Sequence, residues 1–117
     1  MSEALTSPPL HPRMFAILLA LAGGPRHGYG LMVDLQEDAS ERWTLGPATL
    51  YRTLKEMEGL GLITGTEGPD DSGGPPRRYY TLTAMGRRAG SREAARMSAL
   101  AGRWNAQRVR TAGEESR

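Results

Sequence analysis

The apolar residues of this chain occur in short segments, and the longest, residues 14–22, holds nine residues. A membrane-spanning helix needs about 20 apolar residues, so this segment predicts a helix within a small folded core. Because the segment is apolar all round, the helix is expected to be buried on most of its sides. Gly23, Gly24 and Pro25 end it, since glycine permits the left-handed cap and proline cannot continue a helix.

Length and composition exclude several classes of protein. The chain has 117 residues, which is enough for one domain with a modest core. It has no cysteine and two scattered histidines, so no disulfide, thiol nucleophile or metal site is expected, and no cofactor. The first residues lack the basic start and apolar stretch of a signal peptide. We therefore expect a small soluble domain in the cytoplasm, with no membrane partner.

Charge is distributed unevenly along the chain. Residues 1–68 carry five cations and eight acids, whereas residues 69–117 carry ten cations and five acids. Arginine supplies every cation except Lys55, a bias that GC-rich codons also produce. The positive second part favours a polyanionic partner.

A second helix is predicted from residue 28 to about residue 39. Leu31, Met32 and Leu35 form its apolar face. Two glycines in its first turn, Gly28 and Gly30, lower the helix propensity there and would allow a neighbouring backbone to approach closely.

The third predicted helix, residues 47–59, begins at a proline, whose missing N–H costs nothing at the first helical position. Three apolar residues at i, i+4 and i+7 form a core stripe: Leu50, Leu54 and Met57. The opposite side carries small, hydroxyl and cationic residues: Ala48, Thr49, Arg52 and Lys55. Such a face suits the DNA major groove, and it is equally typical of a solvated helix.

Residues 62–82 predict an antiparallel β-hairpin with a long loop rich in glycine and proline. Arg77 and Arg78 on its far shoulder are placed to contact a DNA phosphate. Asp70 and Asp71 at the tip would repel a phosphate. Neighbouring tyrosines in a strand point to opposite faces. Tyr80, on the face of the apolar Leu82, is therefore expected to be buried, and Tyr79 to be exposed.

A long final helix is predicted to begin after Thr83, whose hydroxyl can cap it, and to run to about Arg110. Met97, Leu100 and Trp104 lie on one of its faces. So short a chain has no second half of a domain to cover them, and an exposed tryptophan face usually marks an interface. A second copy of the chain is the simplest partner.

The predicted order of elements is three helices, a wing and a long helix, which is a mainly α winged helix-turn-helix with a small β-hairpin and a C-terminal dimerisation helix. We divide the chain into a flexible arm (1–12), the winged helix-turn-helix domain (13–83), the dimerisation helix (84–112) and a disordered tail (113–117).

Four sequence blocks in this order resemble the PadR family of transcriptional regulators: GPRHGYG (24–30), LGPATLYRTL (45–54), GLI (61–63) and RRYYTLTAMG (77–86). The resemblance covers roughly residues 13–90, and the final helix is similar to that of the subfamily with a single C-terminal helix.

The resemblance implies a homodimer that represses transcription by binding double-stranded DNA at a pseudo-palindromic operator, and release by a small aromatic or hydrophobic effector. The implied DNA-binding residues lie on two helices and the wing: Tyr29, Ala48, Thr49, Tyr51, Arg52, Lys55, Arg77 and Arg78. For Tyr29 and Tyr51, a phosphate contact and a packing role both remain open, and Arg52 could simply be solvated. His27 is expected to cap or pack, because no titration partner lies beside it in sequence.

Trp104 departs from the family pattern. Some members stack flat ligands between tryptophans of the final helices, and the equivalent position here falls near Met97, two helical turns before Trp104. We therefore expect Trp104 to pack in the dimer core with Leu100 and Met97, and a ligand-binding role is the alternative.

Catalysis is not expected, because the sequence has no activated nucleophile, paired carboxylates or glycine-rich phosphate loop after a strand. The alternative function is a winged helix used only for contacts between proteins. Such a module would be marked by loss of the cationic face of the third helix. Four cationic residues argue against that loss: Arg52, Lys55, Arg77 and Arg78.

Overall fold

The computed structural model describes residues 9–38, 46–68, 74 and 77–115; for residues 36–38 and 111–115 it describes the backbone alone. These residues form four α-helices and three β-strands, in the order α1 (Pro12–Leu21), β1 (Arg26–His27), α2 (Gly28–Asp38), α3 (Pro47–Gly59), β2 (Ile63–Gly68), β3 (Arg77–Leu82) and α4 (Ala84–Glu115). The predicted Asp70 and Asp71 at the tip of the wing, and residues 1–8 of the predicted arm, lie outside this range.

The helix α1 begins two residues earlier than predicted, because His11 caps it. The Nδ1 atom of His11 accepts a hydrogen bond from the Arg13 backbone N–H at 3.2 Å, and Pro12 occupies the first turn. Its burial is also more one-sided than predicted, since Leu19 is 61% exposed while Ile17 and Leu21 are buried. The core therefore covers only some of the apolar side chains of α1.

The sheet has three strands, and the predicted hairpin is two of them. β3 lies between β2 and β1, and both neighbours pair with it antiparallel. The third strand, β1, is two residues long and pairs Arg26 with Tyr80 and His27 with Tyr79. The sequence did not reveal this strand, because two residues are too few to show an alternating pattern.

The core lies where the three short helices meet the sheet. Ile17 of α1 and Leu31 of α2 are fully buried, and the α3 stripe is buried as predicted: Leu50, Leu54 and Met57. Leu62, Ile63 and Tyr80 extend this core onto the sheet.

The two tyrosines of β3 differ in burial, although less than predicted. Tyr80 is buried, which confirms the prediction, and its burial, with the nearby Glu58 carboxylate, raises the pKa of its phenol. Tyr79 is half-buried rather than exposed, because His27, its partner residue on β1, packs against it on the same face of the sheet. The ring of His27 meets the Tyr79 ring edge-on at 5.6 Å.

The first turn of α4 is fixed by Thr83, as predicted. Its hydroxyl oxygen accepts a hydrogen bond from the Gly86 N–H at 3.0 Å, and the hydroxyl donates to the Gly61 carbonyl at 2.6 Å. The helix continues to Glu115 rather than ending near Arg110, so residues 113–115 of the predicted tail are helical. Among the described helices, none combines the length and apolarity needed to cross a membrane.

The chain divides into two compact units within α4. Leu10–Gly90, which we call the body, holds the three short helices, the sheet and the first two turns of α4. The second unit contains the helical residues from Ser91 onward.

Candidate nucleic-acid interface

The exposed side of α3 carries the residues predicted to face DNA. Ala48, Arg52 and Lys55 are exposed and Thr49 is partly exposed. The buried Thr53 ties the helix to α1, because its hydroxyl accepts a hydrogen bond from Arg13 Nε at 3.2 Å; the hydroxyl itself donates to the Thr49 carbonyl of its own helix at 2.7 Å. This contact and the buried stripe of α3 leave the side with Arg52 exposed.

Tyr51 extends from α3 to the first turn of α2. A Cβ atom added to Gly28 would lie 2.5 Å from the Tyr51 hydroxyl oxygen, so the phenol occupies the space that glycine leaves. The close approach predicted for a neighbouring backbone is thus made by a side chain. The Tyr51 side chain is nevertheless 50% exposed, which leaves its hydroxyl able to contact a ligand as well as to pack.

A pocket of about 350 Å³ opens beside Tyr51, between the start of α2, α3 and the sheet. Six residues line it: His27, Gly28, Tyr29, Tyr51, Arg77 and Arg78. The fold therefore brings together four predicted DNA-binding residues from three separate parts of the sequence. The other four lie on α3 outside the pocket: Ala48, Thr49, Arg52 and Lys55.

Arg78 is bound within the body. Its Nη2 atom lies 2.8 Å from Glu58 Oε2, and its guanidinium carbon lies 5.9 Å from the centre of the Tyr80 ring. The bond to Glu58 raises the pKa of the Arg78 guanidinium. A phosphate contact by Arg78 would have to share or replace this carboxylate.

Arg77 lies beside His27, on the other side of β3. Its Nη1 atom is 3.5 Å from Nδ1 and 3.4 Å from Nε2 of the histidine. His27 Nδ1 accepts a hydrogen bond from the Gly30 N–H at 3.0 Å, so His27 caps α2 as expected. Tyr29 is 59% exposed and stacks on the His27 ring at 6.4 Å.

Sequence reasoning did not identify Glu58 or the contact between His27 and Arg77. Glu58 is 20 residues from Arg78 in the chain, and His27 is 50 residues from Arg77. No local pattern signals such partners. The Gly28–Tyr51 contact had one signal, the unusual glycine in the first turn of a helix.

In the second unit, the predicted interface residues share an exposed face of α4. Met97 is 39% exposed, Leu100 41% and Trp104 70%. Val109, which the sequence analysis did not single out, is 68% exposed.

Among known proteins, the chain is similar to an uncharacterised transposon protein and to several transcriptional regulators of known structure. A 37.1 kDa uncharacterised protein of a Streptomyces fradiae transposon is 37% identical over 87 residues, which are 74% of this chain and 23% of that protein. The structure of Bacillus subtilis PadR in complex with operator DNA matches with 26% identity and a TM-score of 0.60, over 67% of this chain and 44% of that one. The chain thus spans less than half the length of these two relatives.

Other solved structures match over more of their length. A PadR family regulator from Clostridium difficile has 25% identity and a TM-score of 0.70, with 79% of this chain and 93% of that chain covered. A PadR-like transcription factor from Bacteroides fragilis has 26% identity and a TM-score of 0.69, with 80% and 86% covered. The model of the transcriptional regulator PadR-like family matches residues 17–92, well over half of the sequence. The chain therefore belongs to the PadR-like family of transcriptional regulators.

Proposed function

We propose that this protein is a sequence-specific DNA-binding regulator, a homodimeric repressor that covers a pseudo-palindromic operator. The observation that carries the proposal is the continuity of the exposed side of α3 with the pocket residues. Tyr51 belongs to α3 and lines the pocket, so the cationic helix face adjoins the hydroxyl and guanidinium groups of α2 and β3. One DNA backbone and one groove could be contacted together by such a surface.

In this proposal α3 enters the major groove and its neighbours hold the backbone. Thr49 and Arg52 face base edges, where an arginine can donate two hydrogen bonds to a guanine. Lys55, further along the helix, contacts a phosphate. Tyr29 and Arg77 contact the phosphates that pass the pocket, because phenol hydroxyls and guanidinium groups both donate hydrogen bonds.

Dimerisation is assigned to α4. The exposed apolar face of Met97, Leu100 and Trp104 packs against the same face of a second copy, in a self-complementary interface. The interface sets the distance between the two α3 helices, which must be about 34 Å to enter successive major grooves. A small hydrophobic effector that alters this interface would change operator affinity without touching DNA.

The proposal is tested by selecting binding sites from a random DNA pool and measuring affinity for the selected site by fluorescence anisotropy across a salt series. The variants are Arg52→Ala and, as a control with the same change in charge, Arg110→Ala, which is exposed on α4 and at about 100° per residue points away from the face of Met97 and Trp104. Arg52→Ala should weaken binding to the selected site by about 10- to 100-fold and relax specificity, whereas Arg110→Ala should change it little.

One observation favours a different function, a module for contacts between proteins. Both wing arginines already have partners within the body, Arg77 beside His27 and Arg78 on Glu58. Weak binding without sequence preference, affected equally by Arg52→Ala and Arg110→Ala, would support that function and exclude operator recognition by α3.

A further inference from the structure

We propose that His27 is a positioning residue of the DNA interface and that it acts only as the neutral imidazole, so that operator binding weakens when His27 gains a proton. The inference rests on the DNA-binding function proposed above and adds a residue to its site. His27 does not contact DNA in this proposal. It holds Tyr29 and Arg77, which do.

The helix cap requires the neutral form. Nδ1 of His27 accepts the Gly30 N–H at 3.0 Å, so this nitrogen carries a lone pair and any ring proton is on Nε2. In the imidazolium both nitrogens are donors, and the cap is lost. The ring lies close over Gly30, where an added Cβ would be 3.4 Å from Cε1, so the imidazole fits this turn closely.

The contact with Arg77 also requires the neutral form. One guanidinium nitrogen lies 3.4 to 3.5 Å from the two ring nitrogens. Arginine is always charged and can only donate hydrogen bonds. Because Nδ1 already accepts from Gly30 and Nε2 carries the ring proton, the guanidinium packs on the ring as a cation and does not form a hydrogen bond with it. A protonated His27 would place a second positive charge at that distance, and the repulsion would move Arg77 away from the ring.

The ring also links the elements that form the pocket. It stacks on Tyr29 of α2 with an angle of 16° between the planes, and it meets Tyr79 of β3 at 81°. The ionisable groups that face it are Tyr29 from α2 and Arg77 and Tyr79 from β3.

Other ionisable groups lie near these elements. Across the pocket are Tyr51 of α3 and Arg78, which Glu58 binds. Asp34 of α2 binds Arg26, the residue before His27. The carboxylates of Glu58 and Asp34 therefore already form ion pairs with arginines.

The proposal predicts a change of DNA affinity with pH that is opposite in direction to the change expected from the added charge alone. A histidine that gains a proton beside DNA normally strengthens binding, because it adds a cation that neutralises a phosphate. Here the added proton breaks the α2 cap and displaces Arg77. Affinity should therefore fall on acidification, where the charge count alone would have it rise.

The other histidine supplies a matched control. His11 also caps a helix through Nδ1, and its Nε2 lies 2.9 Å from Arg13 Nη1, but it is exposed on α1 and lines no part of the pocket. Both histidines are replaced with asparagine, in separate variants. Asparagine is a good N-cap and does not titrate.

The DNA site is first selected with the wild-type protein at about pH 8. The affinity of wild type, His27→Asn and His11→Asn for this site is then measured at fixed ionic strength from about pH 8 to about pH 5.5, the range in which histidine ordinarily changes charge. Circular dichroism at both ends of the range checks that each protein is folded. Wild-type affinity should fall by about tenfold on acidification, the size expected for one charge-assisted hydrogen bond. His11→Asn should show the same fall, and His27→Asn should show almost none.

Two results would overturn the proposal: a wild-type affinity that stays constant or rises on acidification, or a fall that persists in His27→Asn. An Arg77→Gln variant gives a second test that leaves the helix cap intact. It removes the repulsion, so it should keep only part of the fall; a fall of full size would show that Arg77 has no role in it. If wild type selects no site at about pH 8, the DNA-binding function itself fails, and this inference fails with it.

Discussion

The two halves of α4, residues 84–99 and 100–115, belong to one helix and differ in how far their described side chains are buried. In the first half, Thr83 caps the helix, Gly86 lies against the backbone of Leu62 and Ala89 packs on the core. In the second half, Trp104 is 70% exposed. A Cβ atom added to Gly102 would meet nothing within 4 Å.

The difference shows what each half requires. In the first half, Gly86 tolerates little change, because the Leu62 carbonyl oxygen lies where a side chain would begin. The second half combines large exposed apolar side chains with open space around its glycine. An exposed apolar face that includes a tryptophan indicates a binding surface, which agrees with the dimer proposed above.

Alanine in place of glycine should have opposite effects in the two halves, and this is the largest effect we expect. In Gly86→Ala the new Cβ would overlap the Leu62 carbonyl oxygen, which is backbone and cannot rotate away. We expect a loss of about 3 kcal/mol in the free energy of unfolding. Thermal or urea unfolding, followed by circular dichroism, measures it.

Gly102→Ala is the matched control, because it makes the same change in the same helix. Nothing lies within 4 Å of the new Cβ, and alanine favours a helix more than glycine does. We expect a gain of up to about 1 kcal/mol. Equal effects at the two positions would break the comparison between the halves.

Removing Trp104 should disrupt the second half without affecting the body. Trp104→Ala deletes the largest exposed apolar side chain of the proposed interface, and truncation of a central tryptophan commonly costs about 2 kcal/mol of association free energy. The dimer should therefore dissociate at about 30-fold higher protein concentration. Analytical ultracentrifugation measures the dissociation constant.

Val109→Ala serves as its control, since Val109 is exposed to a similar degree, 68%. This change should weaken the dimer much less, because at about 100° per residue Val109 points about 140° away from Trp104 and lies outside the proposed interface. A wild-type protein that is monomeric at all concentrations would contradict the assignment of α4 to dimerisation.

The cap at the base of α4 should contribute less than the close packing of Gly86. Thr83→Val keeps the shape of the side chain and removes the hydroxyl that binds Gly86 and Gly61. The expected loss is about 1.5 kcal/mol in the free energy of unfolding, because one buried carbonyl and one helix N–H lose their partner. Thr81→Val, on the exposed side of β3, should change stability by less than about 0.5 kcal/mol.

The sequence was sufficient to predict the helices that bury a periodic stripe. The bounds of α3, the burial of Leu50, Leu54 and Met57 and the Thr83 cap all depend on residues within one or two helical turns of one another. The burial of Tyr80 followed from the alternation of a strand. In each case the determining contacts are local, or the apolar pattern alone requires them.

The arrangement of the pocket depends on contacts that no local pattern contains. β1 pairs with β3 across more than 50 residues, and this pairing brings His27 to Arg77. Glu58 reaches Arg78 because α3 packs against β2, the strand that pairs with β3, and no local sequence pattern indicates this packing. The roles of the individual DNA-binding residues remain predictions for the same reason, since they depend on a partner outside the chain.

The smallest effect concerns the sheet of the body, where a tyrosine is buried. Burial and the nearby Glu58 carboxylate raise the pKa of Tyr80, so the folded protein holds this phenolic proton more tightly than the unfolded chain does. The free energy of unfolding should therefore fall as pH rises past about 10. Urea unfolding from about pH 8 to about pH 11, where the phenol loses its proton, measures the slope.

Tyr80→Phe should remove this part of the slope, because phenylalanine keeps the ring and has no proton to lose. Tyr29→Phe, on the exposed surface beside His27, should leave the slope unchanged. A slope that is the same in all three proteins would mean that Tyr80 reaches water in the folded state. The core around Tyr80 would then be open to water, and the body would differ less from the exposed half of α4 than the burial of its side chains indicates.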